Sequence, residues 1–425
     1  MRFAVTPRKR VTLSGIALSA AFLTLSGCGN SAARFGAPVL PLERNGSGFH
    51  LLYSFTGAPD GAGPETALRV VNDTFYGVTR GGGDGFGVAY EFSRSHGEGV
   101  LHRFRRFDAG YGPYATPLHY RGTFYGNTTA GGNGACYVQN YYSPGCGTIY
   151  SFNGSGQFRT LYRFKGAQNH DGSTPQVSLV EIHGNLYGVT AEGGDSNCNN
   201  GLGCGTVFEV TLSGKERVLH SFNGADGEFP TASLVVLNGK MYGTAFTGGI
   251  EGNGTVFQVS TAGEFRVIYR FKGGADGSGP WANLIVADGM LYGTTRFGGT
   301  GKGCYKNRGC GEIFSMTASG KKRLLYDFDG ANSGGNPIAA LLYYHSRFYG
   351  ATASGGSAAC YTDEGPGCGT LFSIDKSKAF RVLHRFGGAD GASPQGALIL
   401  HKGLLYGTAL AGGDHNDGVI FSLMP

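Results

Sequence analysis

Leu291-Tyr292-Gly293-Thr294-Thr295-Arg296-Phe297-Gly298-Gly299 is one of seven copies of the same phrase. Every copy has Tyr-Gly, and every copy places a Gly-Gly pair whose first glycine lies five residues after that Gly. A variable loop then leads to a second phrase, of which Gly254-Thr255-Val256-Phe257 is typical. The Tyr-Gly tyrosines are Tyr76, Tyr125, Tyr187, Tyr242, Tyr292, Tyr349 and Tyr406, spaced 49, 62, 55, 50, 57 and 57 residues apart. A period in the fifties, repeated seven times, predicts the blades of a β-propeller. Helical solenoid units would need apolar faces with a 3.6-residue period, which these repeats lack.

One repeat reads as four strands. In the fourth, 232–237 is strand a, 240–244 strand b, 255–259 strand c and 266–271 strand d. The runs are short, rich in β-branched and aromatic residues, and punctuated by glycine. Asn238-Gly239 between the first two is a hairpin signal. The four strands form an antiparallel blade, with a at the hub and d outermost. The repeat region opens on a d-type strand, 50–55, and closes on a c-type strand, 419–423. The expected fold is therefore an all-β, seven-bladed propeller over 49–425 whose last blade is completed by the N-terminal strand. Such closure covers edges that would invite aggregation.

Some repeated positions read as structural. Strand a carries Leu68, Leu118, Leu179, Leu234, Leu284, Leu341 and Leu398, expected to pack between blades. In strand d, tyrosine and histidine trade places as Tyr53, His102, Tyr162, His220, Tyr269, Tyr326 and His384. Free exchange with tyrosine and seven-fold placement favour packing or hydrogen bonding over a metal or catalytic role. Asp60, Asp171, Asp226, Asp276 and Asp390 each precede a glycine, which reads as turn formation. Calcium is the minor alternative, and Asp414-His415-Asn416-Asp417-Gly418 is the densest oxygen-rich patch. The expectation is no metal and no cofactor.

Tyr-Gly-x-Thr, then Gly-Gly, then Gly-Thr-Val-Phe, with Phe-x-Gly-Ala-Asp-Gly before the next strand, resembles the GloVer repeat of the choice-of-anchor tandem repeat GloVer-containing bacterial proteins. The resemblance spans about residues 50–425 and all seven copies. It implies attachment to a surface, here by a lipid, and it implies no reaction and no catalytic residues. Repeats two and six depart locally, where Thr116-Pro117 and 332–336 replace the simple Asp-Gly turn.

The first 27 residues read as a lipoprotein signal peptide. Arg2, Arg8, Lys9 and Arg10 precede an apolar run from Val11 to about Leu25, and Leu25-Ser26-Gly27-Cys28 matches a lipobox. An ordinary secretory signal with an incidental cysteine is the other reading. Lipidation at Cys28 would make 28–48 a membrane tether. Gly29, rather than aspartate, follows the cysteine and favours the outer membrane by resemblance. Removing the signal leaves 31 basic against 29 acidic residues, which takes away the electrostatic argument for nucleic acid. The other eight cysteines fall in close pairs, Cys136 and Cys146, Cys198 and Cys204, Cys304 and Cys310, Cys360 and Cys368. An exported chain makes four local disulfides the natural reading. Zinc is the alternative, but no pair has the two-residue gap or the histidines of a zinc site.

Antiparallel strands place the a–b and c–d turns on one face and the b–c and d–a loops on the other. The first face is uniformly tight. The second holds all the length variation and all eight cysteines, and variable loops on a rigid scaffold are where binding usually resides. The residue after each d–a proline opens strand a near the central channel and breaks the repeat symmetry: Glu65, Gln176, Thr231, Trp281, Ile338 and Gln395. Trp281, the single tryptophan, beside Glu65, Gln176, Thr231 and Gln395 suits a sugar ring. A tryptophan capping the hub is the structural reading of the same residue. The expected function is a monomeric surface binding or scaffold module for a glycan or protein. The alternative is an exported carbohydrate-active enzyme, hydrolase or lyase, for which Glu65, Glu192 and His170 are the symmetry-breaking candidates. No nucleophile elbow, zincin or phosphate-loop motif is present.

Overall fold

The glycine of Tyr-Gly is there for room. In the computed structural model, a Cβ added at Gly243 would lie 2.5 Å from the ring of Phe257, its cross-strand partner. At Gly188, Gly293, Gly350 and Gly407 it would meet Phe208, Phe314, Phe372 and Phe421 at 2.6–2.8 Å. In the first two blades the crossing ring is Tyr90 or Tyr150. The two repeated phrases are thus one device: strand b lacks a side chain where the strand c ring lies across it. The leucine of strand a closes the same spot, with Leu234 and Leu341 Cδ2 about 3 Å from the added atom. These rings and leucines are buried, as are most side chains of strands b and c.

The structure describes residues 48–105, 110–132, 135–138, 141–195, 197–302, 304, 308–356, 360–362 and 365–425. They form seven antiparallel four-strand blades, with small extra hairpins in the loops. Blade 4 runs Val235–Leu237, Lys240–Ala245, Thr255–Val259 and Phe265–Arg270. Strands a of neighbouring blades lie against one another, Val235–Leu237 beside Ile285–Ala287 beside Leu342–Tyr344, so a is innermost. The a–b turns use the hairpin geometry that the sequence predicts: Asn238 and Gly239 have φ of 52° and 72°.

Closure follows the expected route. Blade 7 consists of Ile399–His401, Leu404–Ala409, Val419–Leu423 and the first strand, Phe49–Ser54. Its register runs from Phe49 opposite Leu423 to Ser54 opposite Val419. The Phe49 ring stacks on His384 of blade 6 at 3.8 Å and 4° between planes. His102–Phe158, His220–Phe265 and Tyr326–Phe380 make the same inter-blade stack elsewhere. The Met424 amide donates to the Gly48 carbonyl, so the ends of the propeller meet on the tight-turn face.

Two expectations are corrected. Strand a of blade 4 spans three residues, not six, as strand a does in every blade; in blade 4 the Ser233 N–H lies outside the ladder and donates to Asn283 Oδ1 of the next blade. In repeat two the leucine is misplaced. Leu118 pairs with Tyr125 as Arg69 pairs with Tyr76, which makes Pro117 the counterpart of buried Leu68. Pro117 is buried and Leu118 only half-buried, since a one-residue offset in a strand turns a side chain to the other face.

The tyrosine–histidine exchange in strand d also resolves. In five of the seven repeats, at Tyr53, Tyr162, His220, Tyr269 and His384, the side chain reaches the aspartate of the Asp-Gly turn that follows it. The Tyr162 hydroxyl donates to Asp171 at 2.7 Å and Tyr269 to Asp276 at 2.6 Å, while His220 and His384 hold Asp226 and Asp390 at 3.0 and 2.7 Å. These aspartates also accept backbone N–H groups of their own turns, such as Lys165 and Gly387.

Candidate binding site at the channel mouth

The residue before each d–a proline lies in the left-handed region. Gly63, Gly112, Thr174, Phe229, Gly279, Asn336 and Ser393 all have φ between 53° and 66°. Non-glycine residues pay steric strain there, of order 1 kcal/mol or more. Each is clamped on both sides. Its N–H donates to the carbonyl before the Gly that opens strand c, and its carbonyl accepts the N–H that follows strand b, as in Phe229 to Cys204 and Phe246 to Phe229.

The disulfides belong to this device. Cys136–Cys146, Cys198–Cys204, Cys304–Cys310 and Cys360–Cys368 are all formed, with Cα–Cα separations of 5.1–5.4 Å. Four of the clamping carbonyls belong to the second cysteines, Cys146, Cys204, Cys310 and Cys368, and they receive Thr174, Phe229, Asn336 and Ser393. Where the preceding blade has no disulfide, the left-handed residue is Gly63, Gly112 or Gly279. A strained residue therefore occurs only where a disulfide holds its acceptor. The proline then packs on the glycine that opens strand c of the preceding blade: a Cβ at Gly254 would lie 2.6 Å from Pro280.

This scaffold delivers one side chain per blade to a single pocket. Its lining includes Glu65, Tyr114, Gln176, Thr231, Trp281, Ile338 and Gln395, with Ser233 and Asn283 beneath. The expected residues Trp281, Glu65, Gln176, Thr231 and Gln395 are thus brought together. Tyr114 was missed, because repeat two has two prolines and the phrase was aligned on Pro117. Pro113, twelve residues before the repeat tyrosine as Pro64 is, identifies it. Glu192 and His170 do not line the pocket. Glu192 accepts from Thr174 Oγ1 at 3.1 Å, and exposed His170 lies 3.6 Å from Asp195.

The cavity is about 90 Å³. Glu65, whose side chain is 5 % exposed, faces Arg80 at 3.4 Å, with the Tyr114 phenol beside it. Burial raises its pKa above the ordinary carboxylate value, against the opposing pull of Arg80 and Tyr114. Burial, with Glu65 beside it, pushes the Tyr114 phenol up as well. The Arg80 guanidinium lies 5.9 Å from the Tyr114 ring centre. Across the mouth, Arg296 lies 5.3 Å from the Trp281 ring centre and Phe246 meets that ring edge-on at 4.9 Å. Three buried oxygens of the lining, Glu65 Oε2, Thr231 Oγ1 and Ser233 Oγ, have no hydrogen-bond partner within the protein. Among the described residues one group has metal-ligand spacing, Cys198, Cys204 and Glu228, but its two sulfurs are joined to each other. Cys28 lies outside the described residues.

Fold and site together define a disulfide-stapled, tandem-repeat β-propeller with one symmetry-broken mouth. The chain belongs to the Gloeobacter/Verrucomicrobia repeat family, whose model matches residues 30–201 and again 198–421. No curated protein matches it in sequence. Among solved structures it is similar to the polysaccharide lyase Uly1, at 11 % identity and TM-score 0.47 over 91 % of this chain and 93 % of that one. It is similar to puromycin hydrolase at 12 % identity and TM-score 0.48, covering 83 % of this chain and 50 % of that one. It is similar to the tricorn protease at 11 % identity and TM-score 0.40, covering 81 % of this chain and 27 % of that one. The chain thus spans a half or less of the length of the last two proteins. At these identities none of their activities carries over. The four disulfides suit an oxidising, extracellular or periplasmic environment, and no helix among the described residues is long and apolar enough to cross a membrane.

Proposed function

We propose that the protein is an exported, lipid-anchored binding module that takes a saccharide at the channel mouth. The observation that carries this reading is the convergence of Glu65 Oε2, Thr231 Oγ1 and Ser233 Oγ, buried and without protein partners, on the pocket that holds Trp281. Buried polar atoms are nearly always paired with protein or water, and an aromatic beside hydroxyl-seeking groups is the usual sugar platform. The cavity of about 90 Å³ is well below the roughly 300–1,000 Å³ of sites that engulf a ligand. It therefore takes the edge or end of a saccharide rather than a whole ring. The enzyme reading is weaker, since glycoside hydrolysis commonly needs two carboxylates across the bond and, among the described residues, Glu65 is the one carboxylate in the lining.

Lipidation at Cys28 would tie the chain to the outer membrane. Because strand Phe49–Ser54 starts on the tight-turn face, the tether would leave from that face and the mouth would look away from the bilayer. A Cys28→Ala chain should lose palmitate label and leave the membrane fraction. Single cysteines at Ser213 and Ile250 should label unequally with an impermeant reagent on vesicles, Ile250 more; equal shielding would refute the orientation. For the site itself, a glycan array on the chain from Asn45 onward should give hits that Trp281→Ala abolishes. An array without hits, or hits indifferent to Trp281, would overturn the saccharide reading.

A further inference from the structure

The pocket at the mouth has two tiers. The residue after each d–a proline forms the outer one. The residue two further on, on the same side of an extended segment, forms the inner one. In blades 2 to 5 the inner residue is Thr116, Ser178, Ser233 or Asn283, and in blades 6, 7 and 1 it is Ala340, Ala397 or Ala67. All of these line the cavity. The inner tier is therefore divided, with an unbroken arc of hydroxyl and amide groups on one side and an unbroken arc of methyl groups on the other. The unpartnered oxygens follow the same division. Ser233 Oγ belongs to the polar arc, in blade 4, with Thr231 Oγ1 in the tier outside it. Glu65 Oε2 stands in the outer tier of blade 1, on the methyl side. Blades 1 and 4 are not neighbours in a ring of seven, so Glu65 and Ser233 face the cavity from opposite sides. Glu65 Oε1 already meets Arg80 at 3.4 Å, which leaves Oε2 as the acceptor. Ser233 is 7 % exposed, so its hydroxyl is as well sheltered as the Glu65 carboxylate.

We infer that the mouth takes the acetamido group of an N-acetylated amino sugar, whose ring stays outside against Trp281. An acetamido group is a planar trans amide, so its N–H and C=O point in opposite directions and its methyl lies on the N–H side. The opposed groups of the pocket match that pattern. The amide N–H donates to Glu65 Oε2, the Ser233 hydroxyl donates to the carbonyl, and the methyl rests on Ala67, Ala340 and Ala397. The cavity of about 90 Å³ is the share of about three water molecules, which suits the few heavy atoms of this substituent. A plain hydroxyl on the same sugar carbon would leave one of the opposed oxygens unpaired and the methyl arc uncovered. This inference rests on the saccharide reading and narrows it to the substituent that enters the mouth.

The test is isothermal titration of the chain from Asn45 onward with matched pairs of sugars: triacetylchitotriose against cellotriose, and methyl N-acetylgalactosaminide against methyl galactoside. In at least one pair the acetamido sugar should bind roughly tenfold tighter or more than its plain partner. Ser233→Ala removes the donor to the carbonyl and keeps the backbone bond to Asn283. Ala397→Val fills part of the methyl arc. Each should weaken acetamido binding by roughly tenfold or more, with the melting temperature as the folding control; if one variant melts early, the other carries the test. Plain sugars bound as tightly as their acetamido partners, and lost in Trp281→Ala, would overturn the acetamido inference and leave the saccharide reading standing. A preference for acetamido sugars that both variants leave intact would overturn it as well, since the group would then sit elsewhere. Binding of neither member of either pair would overturn both readings.

Discussion

Replacing Glu98 by glutamine should make the propeller more stable at alkaline pH and leave it unchanged at mildly acidic pH. Glu98 opens strand d of blade 1 (Gly97–Arg103), in the position where His-bearing neighbours receive a stacked phenylalanine. It faces Tyr53 and Asp60 across the joint between blades 7 and 1. Its Oε1 is buried without a partner. Burial first, then the charges of Asp60 and Glu91, push its pKa from 4.5 to about 8, with Arg103 pulling the other way. A carboxyl with a raised folded pKa binds more protons folded than unfolded. Its stabilising contribution is complete below about pH 4.5 and is lost as pH rises through about 8. Expressed in full, that displacement would correspond to roughly 4–5 kcal/mol; partial access to water reduces it to about 2 kcal/mol. Urea denaturation followed by Trp281 fluorescence at pH 5, 7 and 9 reads it. The wild type should lose about 2 kcal/mol more than Glu98→Gln between pH 5 and 9. Parallel pH profiles for the two chains would refute the reasoning. Blade 5 shows why the joint matters: there Lys322 stands in the same position, buried, with Asp276 and Glu312 each at 3.0 Å.

Gly243→Ala should destabilise the fold by about 2–3 kcal/mol, because its Cβ would press into the Phe257 ring; a melting temperature within a degree of wild type would refute this account of the repeat. The paired change Cys198→Ser with Cys204→Ser should cost about 2 kcal/mol from loop closure. It should also release the strained Phe229, seen as faster hydrogen exchange at the Phe229 and Phe246 amides. Unchanged protection at both would show that the disulfide does not hold the clamp.

Much of the fold could be read from residues alone, and the reasons are physical. Strand c of blade 4 falls on 255–259 as expected, since Gly-Thr-Val-Phe marks its start and a β-branched and aromatic run fills it. Closure by the first strand followed from the register of the termini. Strand a was overextended because its apolar run continues past the three residues that pair with strand b, and only the pairing, Val235 with Tyr242 to Leu237 with Lys240, shows where the ladder begins. Leu118 was misassigned because two prolines four residues apart offered two alignments, and only the pairing partner of Tyr125 decides between them. The same error hid Tyr114, which lines the mouth beside Glu65. Six of the mouth residues, Glu65, Gln176, Thr231, Trp281, Ile338 and Gln395, were legible as breaks in symmetry, whereas Arg80, which faces Glu65, was not, since no local pattern says where its side chain points. The link between disulfides and left-handed residues was written in the chain as glycine versus non-glycine, but the hydrogen bond that explains it needs coordinates.

A crystal structure of the chain from Asn45 onward, grown with the oligosaccharide that binds tightest, tests the account most directly. It should show one sugar end in the mouth, its ring edge on Trp281 and a hydroxyl on Glu65 Oε2 or Thr231. A saccharide seated on the tight-turn face or on the outer strands, with the mouth filled only by ordered water, would contradict it.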